Sequence, residues 1–499
     1  YNDKFGDFEA GLMLGHSFQK MSTRTSSIDG RGFPSPVFDT VGTASEIYNA
    51  SGGISEFAME SYFGRINLSY LDRYILNVTM RSDGSSRFAP SDRYGYFPSV
   101  SLGWNVSKES FWKFPQTDLK FRLSYGKTGN QDGIGNYAWQ PLMSGGINYG
   151  NNSGMAVTSM GNNKLTWETA DQYDFGFDLG FWNGKLNMIA DIYLKNTNNL
   201  LYSMPLHGTS GFTSITSNIG SMRNYGVEFS INGHLNIGKV NWTSSFNISH
   251  NKNKLTKLLG DDLLPIGSNR ALKVGEELGA FYLFQMDGLY QYDGEVPQPL
   301  YDLGVRAGDV KYHDADNNGI INDNDRVLTG SSNPDFFGGW NNTFKYKGFQ
   351  LDVFFTYMYG NDVYAEWAVT ATRPGYRMAI TEDVAKNRWT APGSSDKYPR
   401  AVNTLCGHNS KNSTRFLEDG SFIRLRSLTF SYTFPQVMLQ KICLKGLRLY
   451  VQGDNLLLFS KYSGWDPEVS KNMDPQYFGV DLYGVPPSRS VNFGINLSF

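Results

Sequence analysis

At 499 residues, 40% hydrophobic and 18% charged, the chain could hold several domains or one large β architecture. No stretch approaches the roughly 20 continuous apolar residues that a membrane-spanning helix needs, which excludes a helical membrane protein. A net charge of −2 gives no electrostatic case for nucleic acid.

Period-two alternation of apolar and polar residues predicts strands near 7–19, 60–70, 73–82, 97–107, 117–127, 170–182 and 185–199, then 220–233, 239–252, 336–346, 348–359, 420–434, 445–456 and 488–499. In the second, Tyr62, Ile66, Leu68 and Tyr70 oppose Arg65, Asn67 and Ser69. In the fifth, Leu119, Phe121, Leu123 and Tyr125 oppose Lys120, Arg122, Ser124 and Gly126. The last sets Val491, Phe493, Ile495, Leu497 and Phe499 against Asn492, Gly494, Asn496 and Ser498, and Phe499 is expected to end it facing lipid.

A soluble sandwich would also alternate, so the connections decide. Short ones (Leu71-Asp72, 108–116, Asn183-Gly184, 234–238, Lys347, 435–444) take turns with long ones (20–59, 83–96, 128–169, 200–219, 253–335, 360–419, 457–487). Tight turns at one end and large loops at the other are the pattern of an up-and-down transmembrane barrel, with short periplasmic turns and long extracellular loops. The fold class expected is therefore all-β, an antiparallel transmembrane β-barrel with about fourteen strands in this chain.

Aromatics gather at the short turns, with Tyr70 and Tyr74, Phe111 and Trp112, Phe181 and Trp182, and Tyr346 and Phe349 reading as an interfacial girdle. Asn67, Asn77, Asn105, Asn247 and Asn496 each carry a hydroxyl residue two positions on, within a strand. They are read as lumen lining rather than glycan acceptors, which belong on loops.

The search for catalysis identifies no enzyme. His16, His207, His234, His250, His313 and His408 are scattered, and no nucleophile elbow, zinc motif or phosphate loop occurs. Cys406 and Cys443 lack metal-ligand spacing, and the topology, placing one in a long loop and the other in a short turn, predicts that they are not bonded to each other. One loop stands apart. Counted from Asp314, oxygen-bearing side chains fall at positions 1, 3 and 5 (Asp314, Asp316, Asn318), and Gly319 follows at 6. Ile320 offers its carbonyl at 7, and Asn322 and Asp325 fall at 9 and 12. That is EF-hand spacing with Asp in place of the final Glu, and it predicts a structural Ca2+ site without a signalling role.

Several segments together resemble the SusC/RagA-type TonB-dependent outer-membrane transporters. They are RYGYFPSVSLGWNVSKESF (93–111), LKFRLSYGKTGNQDGIGNYAW (119–139) and RNYGVEFS (223–230), then GDVKYHDADNNGIINDNDRVLTGSSNPDFFGG (308–339), FIRLRSLTFSYTFP (422–435) and DNLLLFSKYSGWDPE (454–468). The resemblance implies a barrel of 22 strands in the outer membrane of a Gram-negative bacterium, with residues 1–499 as its C-terminal part. On this reading an N-terminal plug and the first strands lie outside the chain. It also implies a SusD-like surface lipoprotein as a lid, pairs of transporter and lipoprotein that dimerise, and a TonB–ExbB–ExbD complex supplying energy for import of oligosaccharides or peptides. A passive porin-like channel or a calcium-stabilised adhesin is the alternative. Trp367, Tyr376, Trp389, Trp465, Tyr477 and Tyr483, all in long loops, either stack on substrate, contact a lid or simply pack.

Overall fold

The computed structural model describes residues 1–150, 152–260, 263–376, 378–402, 407–440, 444–471 and 477–499, in two compact units. The first comprises 1–110, 121–175 and 195–222, and the second comprises 111–120, 176–194 and 223–499. All fourteen predicted strands are present, with a fifteenth short one at Asn2–Phe5.

In the first unit Asn2–Phe5, Phe8–Arg31, Glu46–Tyr70, Tyr74–Ser85 and Tyr94–Asn105 pair antiparallel in chain order. The second repeats the pattern through Val240–Leu258, Phe336–Tyr346, Phe349–Tyr359, Phe422–Thr433, Gly446–Ser460 and Ser490–Ser498. The short turns follow from local chemistry. Lys347 and Gly348, both at positive φ, make the two-residue hairpin between partners Tyr346 and Phe349. A Cβ at Gly348 would lie 2.7 Å from the Thr433 carbonyl oxygen, so glycine is required there.

The faces invert the burial of a water-soluble protein. On Glu46–Tyr70, Ser61 is 2% exposed and its neighbour Tyr62 is 50% exposed. On Phe422–Thr433, Arg424 and Ser431 are buried, whereas Ile423 and Phe430 are exposed. Leu12, Leu14, Phe18, Ile66 and Leu102 are likewise exposed in the first unit, as are Phe493, Ile495 and Phe499 in the second. A sandwich would bury these residues against a second sheet; a transmembrane strand turns them to lipid. A depression of about 560 Å3 lined by Phe8, Leu68, Tyr74, Trp104, Phe121 and Phe175 lies on this apolar face, which suits acyl chains rather than a polar nutrient.

Tyr70 and Tyr74 are register partners beside the turn. Tyr74 donates its hydroxyl to Glu109 (2.5 Å), and Trp104 donates its indole N–H to the same carboxylate (3.0 Å). The girdle is thereby tied to a charged turn, as residues with one apolar and one wet end require. The polar face carries its own ladder, with Asn67 opposite Asn77, which bonds Ser101 (3.1 Å), and Asn247 accepting from the Gly339 amide (3.0 Å). Asn105 departs from the expected lining role. Its side chain donates to the Asp72 carbonyl (2.5 Å) and closes a short turn.

Four of the long connections differ from what the alternation predicts. Most of 20–59 is strand, because Phe8–Arg31 and Glu46–Tyr70 stay paired as far as Arg31 and Glu46, which are also bridged (2.8 Å). The hydrophobic pattern fades there while the Ser- and Thr-rich backbone remains able to pair. The segments 253–335, 360–419 and 457–487 are not simple loops either. They supply a four-stranded sheet (Leu263–Ile266, Arg270–Lys273, Ala280–Phe284, Arg326–Ser331) and a three-stranded one (Leu417–Asp419, Asp362–Ala365, Val480–Asp481). One buried core joins Phe281, Leu283, Val363, Tyr364, Phe416 and Val480, and a second joins Phe284, Tyr290, Leu300, Val305, Val310 and Tyr312. The platform is packed like a small domain.

Candidate functional site

The acidic loop begins where strand Val310–Tyr312 leaves the second core. Asn317 and Gly319 take positive φ and wrap the chain back on itself. The turn brings carboxylate oxygens of Asp314, Asp316 and Asp325 within 4.8 Å of one another. Asp325 is fully buried, and its oxygens accept from the backbone amides of Ala315 (2.9 Å) and Asn322 (2.8 Å). Asp314 accepts from the amides of Gly319 (2.7 Å) and Asn318 (3.1 Å), and these bonds, the Gly319 one first, hold its carboxyl below the usual range. Asn318 lies beside the cluster, its amide donating to Asp316 (2.8 Å). Ile320 follows, with its amide bonded to the Asn318 side chain (2.8 Å). Asn322 differs, because its side-chain oxygen caps the turn Asp323–Asp325 by accepting from Asn324 (2.9 Å). Among the described residues no Lys or Arg pairs with the three acids, so like charges converge without a protein cation. Hard oxygen donors so arranged fit a divalent cation such as Ca2+.

A second constellation is one that periodicity could not reveal. Arg424, on the polar face of its strand, pairs with Asp466 (2.6 Å), both side chains 4% exposed. Its Nε lies 3.0 Å from Glu468, which also takes two bonds from Arg426 (2.9 Å each). Arg426 reaches Asn455 (3.3 Å), and Asn455 donates to the Ser488 carbonyl (3.2 Å). Residues 422–426 and 466–468 thus clamp the 461–489 loop onto the strands. These are the FIRLR and DPE pieces of two blocks quoted above, and the signal was the two arginines two apart set against two acids two apart.

A third centre is Asp309, 4% exposed. Arg400 grips both its oxygens (2.8 and 2.9 Å), Asn409 donates to one (2.8 Å), and the Arg306 amide donates to the other (2.9 Å). Beside it buried His408 bonds the Val310 carbonyl through Nε2 (2.8 Å), and Tyr312 donates to the His408 carbonyl (2.8 Å). Burial pushes the His408 pKa down, with Asp309 and Lys411 the charged groups nearby. The unfolded chain takes up this proton near pH 6.5 and the folded chain only at lower pH, so the contribution to stability is complete above about 6.5 and declines as pH falls. Amide exchange at 308–312 should therefore be faster at pH 5.5 than at 7.5 after correction for intrinsic rates. His408→Gln should flatten that dependence, and an unchanged slope would remove His408 as its source.

Of the loop aromatics, Trp367, Trp389 and Tyr477 pack against the two cores, and Trp389 also donates to Gln291 (3.1 Å). Tyr376 lies under the Arg373 guanidinium (4.4 Å). Trp465 is 81% exposed, and Tyr483, 59% exposed, shares a hydrogen bond with the Thr370 hydroxyl. Cys406 and Cys443 lie outside the described residues.

The sequence profile described as "TonB dependent receptor-like, beta-barrel" matches residues 1–456. The chain is 33% identical to TonB-dependent receptor P3 of Formosa agariphila over its whole length, covering 51% of that protein. It is 31% identical to TonB-dependent receptor SusC of Bacteroides thetaiotaomicron, over 88% of the chain and 43% of SusC. In three dimensions it matches the RagAB peptide transporter with a TM-score of 0.87 at 25% identity, over all of this chain and 54% of that one. The chain spans about half the length of the curated relatives it matches. It belongs to the TonB-dependent receptor β-barrels, as a SusC/RagA-type protein of the bacterial outer membrane.

Proposed function

We propose that the chain is the barrel portion of an energy-coupled importer of an oligomeric nutrient, an oligosaccharide or a peptide. On this reading it works with a SusD-like lipoprotein lid and the TonB–ExbB–ExbD complex. The observation that carries the reading is the platform. Segments 253–335, 360–419 and 457–487 are folded around buried cores rather than left as wet loops, and a preordered surface lowers the ordering cost when a lid docks. The likeness to a protein called a peptide importer supports the same class. Growth on a panel of oligosaccharides and peptides as sole nutrient, in strains lacking this gene or TonB function, tests it. Loss of growth in both strains is expected. Growth that needs this gene but not TonB would make the chain a passive channel.

Ca2+ at Asp314, Asp316 and Asp325, with Asn318 and the Ile320 carbonyl completing the set, would stiffen this platform. Extracellular modules of this kind bind with Kd of about 0.1–1 mM. Adding millimolar CaCl2 to EGTA-treated protein should slow amide exchange at 313–325, and Asp314→Asn should abolish the difference. Equal exchange in both buffers, with no heat on calorimetric titration, would dismiss the ion.

A further inference from the structure

The clamp between strand Phe422–Thr433 and the 461–489 loop leaves a cavity of about 480 Å3 on the polar face of the strands, within the range of small-ligand sites. Its lining divides into groups already engaged and groups still free. Arg424 and Asp466 are buried and paired with each other, and Asn455 is held between Arg426 and the Ser488 carbonyl. Leu458, opposite Arg424 in the register, gives one apolar wall. Two lining groups remain available. Arg489 is exposed, and among the described residues its guanidinium has no hydrogen-bond or ion-pair partner. Trp465 presents an indole 81% exposed, although the residue after it is almost wholly buried. Around the cavity three guanidiniums (Arg424, Arg426, Arg489) face two carboxylates (Asp466, Glu468), so the surplus charge is positive and sits on the free arginine.

We propose that this cavity is a subsite for the carboxylate of the imported oligomer. Arg489 takes the carboxylate through two parallel N–H donors, and Trp465 covers the apolar face of the unit that bears it. The inference rests on the importer reading and narrows it to acidic oligomers. A uronate unit of an oligosaccharide and an acidic residue of a peptide supply the same chemistry, and the test separates them.

Calorimetric titration of the full-length transporter uses four probes: oligogalacturonate and its methyl ester, and a glutamate-rich peptide and its glutamine counterpart. One acidic probe should bind about tenfold or more tightly than its neutral counterpart, the scale of a hydrogen-bonded charge. Arg489→Gln should bring that probe to the affinity of the neutral one, Arg489→Lys should retain part of the preference, and Trp465→Ala should weaken both forms. Arg489 is exposed and unpartnered, so its replacement leaves the fold intact, checked by heat-modifiable mobility. The proposal is overturned if neither acidic probe is preferred, or if the preference survives Arg489→Gln. Uptake that remains TonB-dependent with unchanged charge preference in Arg489→Gln cells removes the subsite alone. Absence of any TonB-dependent uptake in wild-type cells removes the importer reading itself.

Discussion

Asp466→Ala is expected to free the 461–489 loop from the barrel strands while leaving the strands folded. The carboxylate is almost fully buried and pairs with an equally buried Arg424 at 2.6 Å. Removing one partner strands a guanidinium away from water, and such a loss costs about 3–5 kcal/mol. Glu468 compensates only in part, since the oxygen that lies 3.0 Å from the Arg424 Nε is shared with Arg426. The loop amide at Glu468 also loses its acceptor, because it donates to Asp466 (2.9 Å). Limited proteolysis should then cut within 461–489 at protease levels that spare wild-type protein, with heat-modifiable mobility unchanged. Replacing both partners by apolar residues, Arg424→Met with Asp466→Leu, should restore most of the resistance, because an empty pair leaves no buried charge. Equal cleavage of the single and double variants would show that the clamp acts through its shape and not its charge.

How much of this was legible beforehand depended on the distance over which each feature is encoded. The strands were readable because Tyr62, Ile66 and Leu68 declare their face within a few residues, and lipid on one side enforces the alternation. Beyond the membrane both faces of 20–31 and 46–59 meet water, so the pattern fades although pairing continues to Arg31 and Glu46. The acidic loop was readable as a spacing because all its candidate ligands fall within one turn of chain. That Asn322 also caps Asp323–Asp325 was not, because an Asn side chain can serve a turn or an ion equally well. The platform cores are illegible in the sequence for a further reason. Phe281, Val363, Phe416 and Val480 come from three separate connections, each too short in apolar residues to announce a core. Arg424 and Asp466 lie 42 residues apart, and the matched spacing of Arg424 and Arg426 with Asp466 and Glu468 does not by itself say that they touch.

Asp309→Ala should have an effect of similar size on the other half of the platform. Four donors converge on this carboxylate from Arg400, Asn409 and the Arg306 backbone, and it is 4% exposed. Its loss leaves the Arg400 fork without an acceptor, so that segment 398–400 is held to 308–312 by the Arg400 amide on the Gly308 carbonyl (2.8 Å), again at a cost of about 3–5 kcal/mol. The damage should spread along the chain rather than across it. Val310 and Tyr312 are buried members of the second core, and strand Val310–Tyr312 runs directly into Asp314. Amide exchange should therefore quicken at 308–312 and at 313–325, while the paired strands Phe336–Tyr346 and Phe349–Tyr359 keep their protection. Asp309→Asn separates charge from shape, since it keeps one acceptor oxygen for Arg400 and should fall between wild type and alanine. If the acidic loop binds Ca2+, the ion should partly restore protection in Asp309→Ala, because a ligand of the folded loop draws the equilibrium toward it. A variant that loses protection at 308–312 but leaves 313–325 untouched would show that the acidic loop folds on its own account, independent of the Asp309 centre.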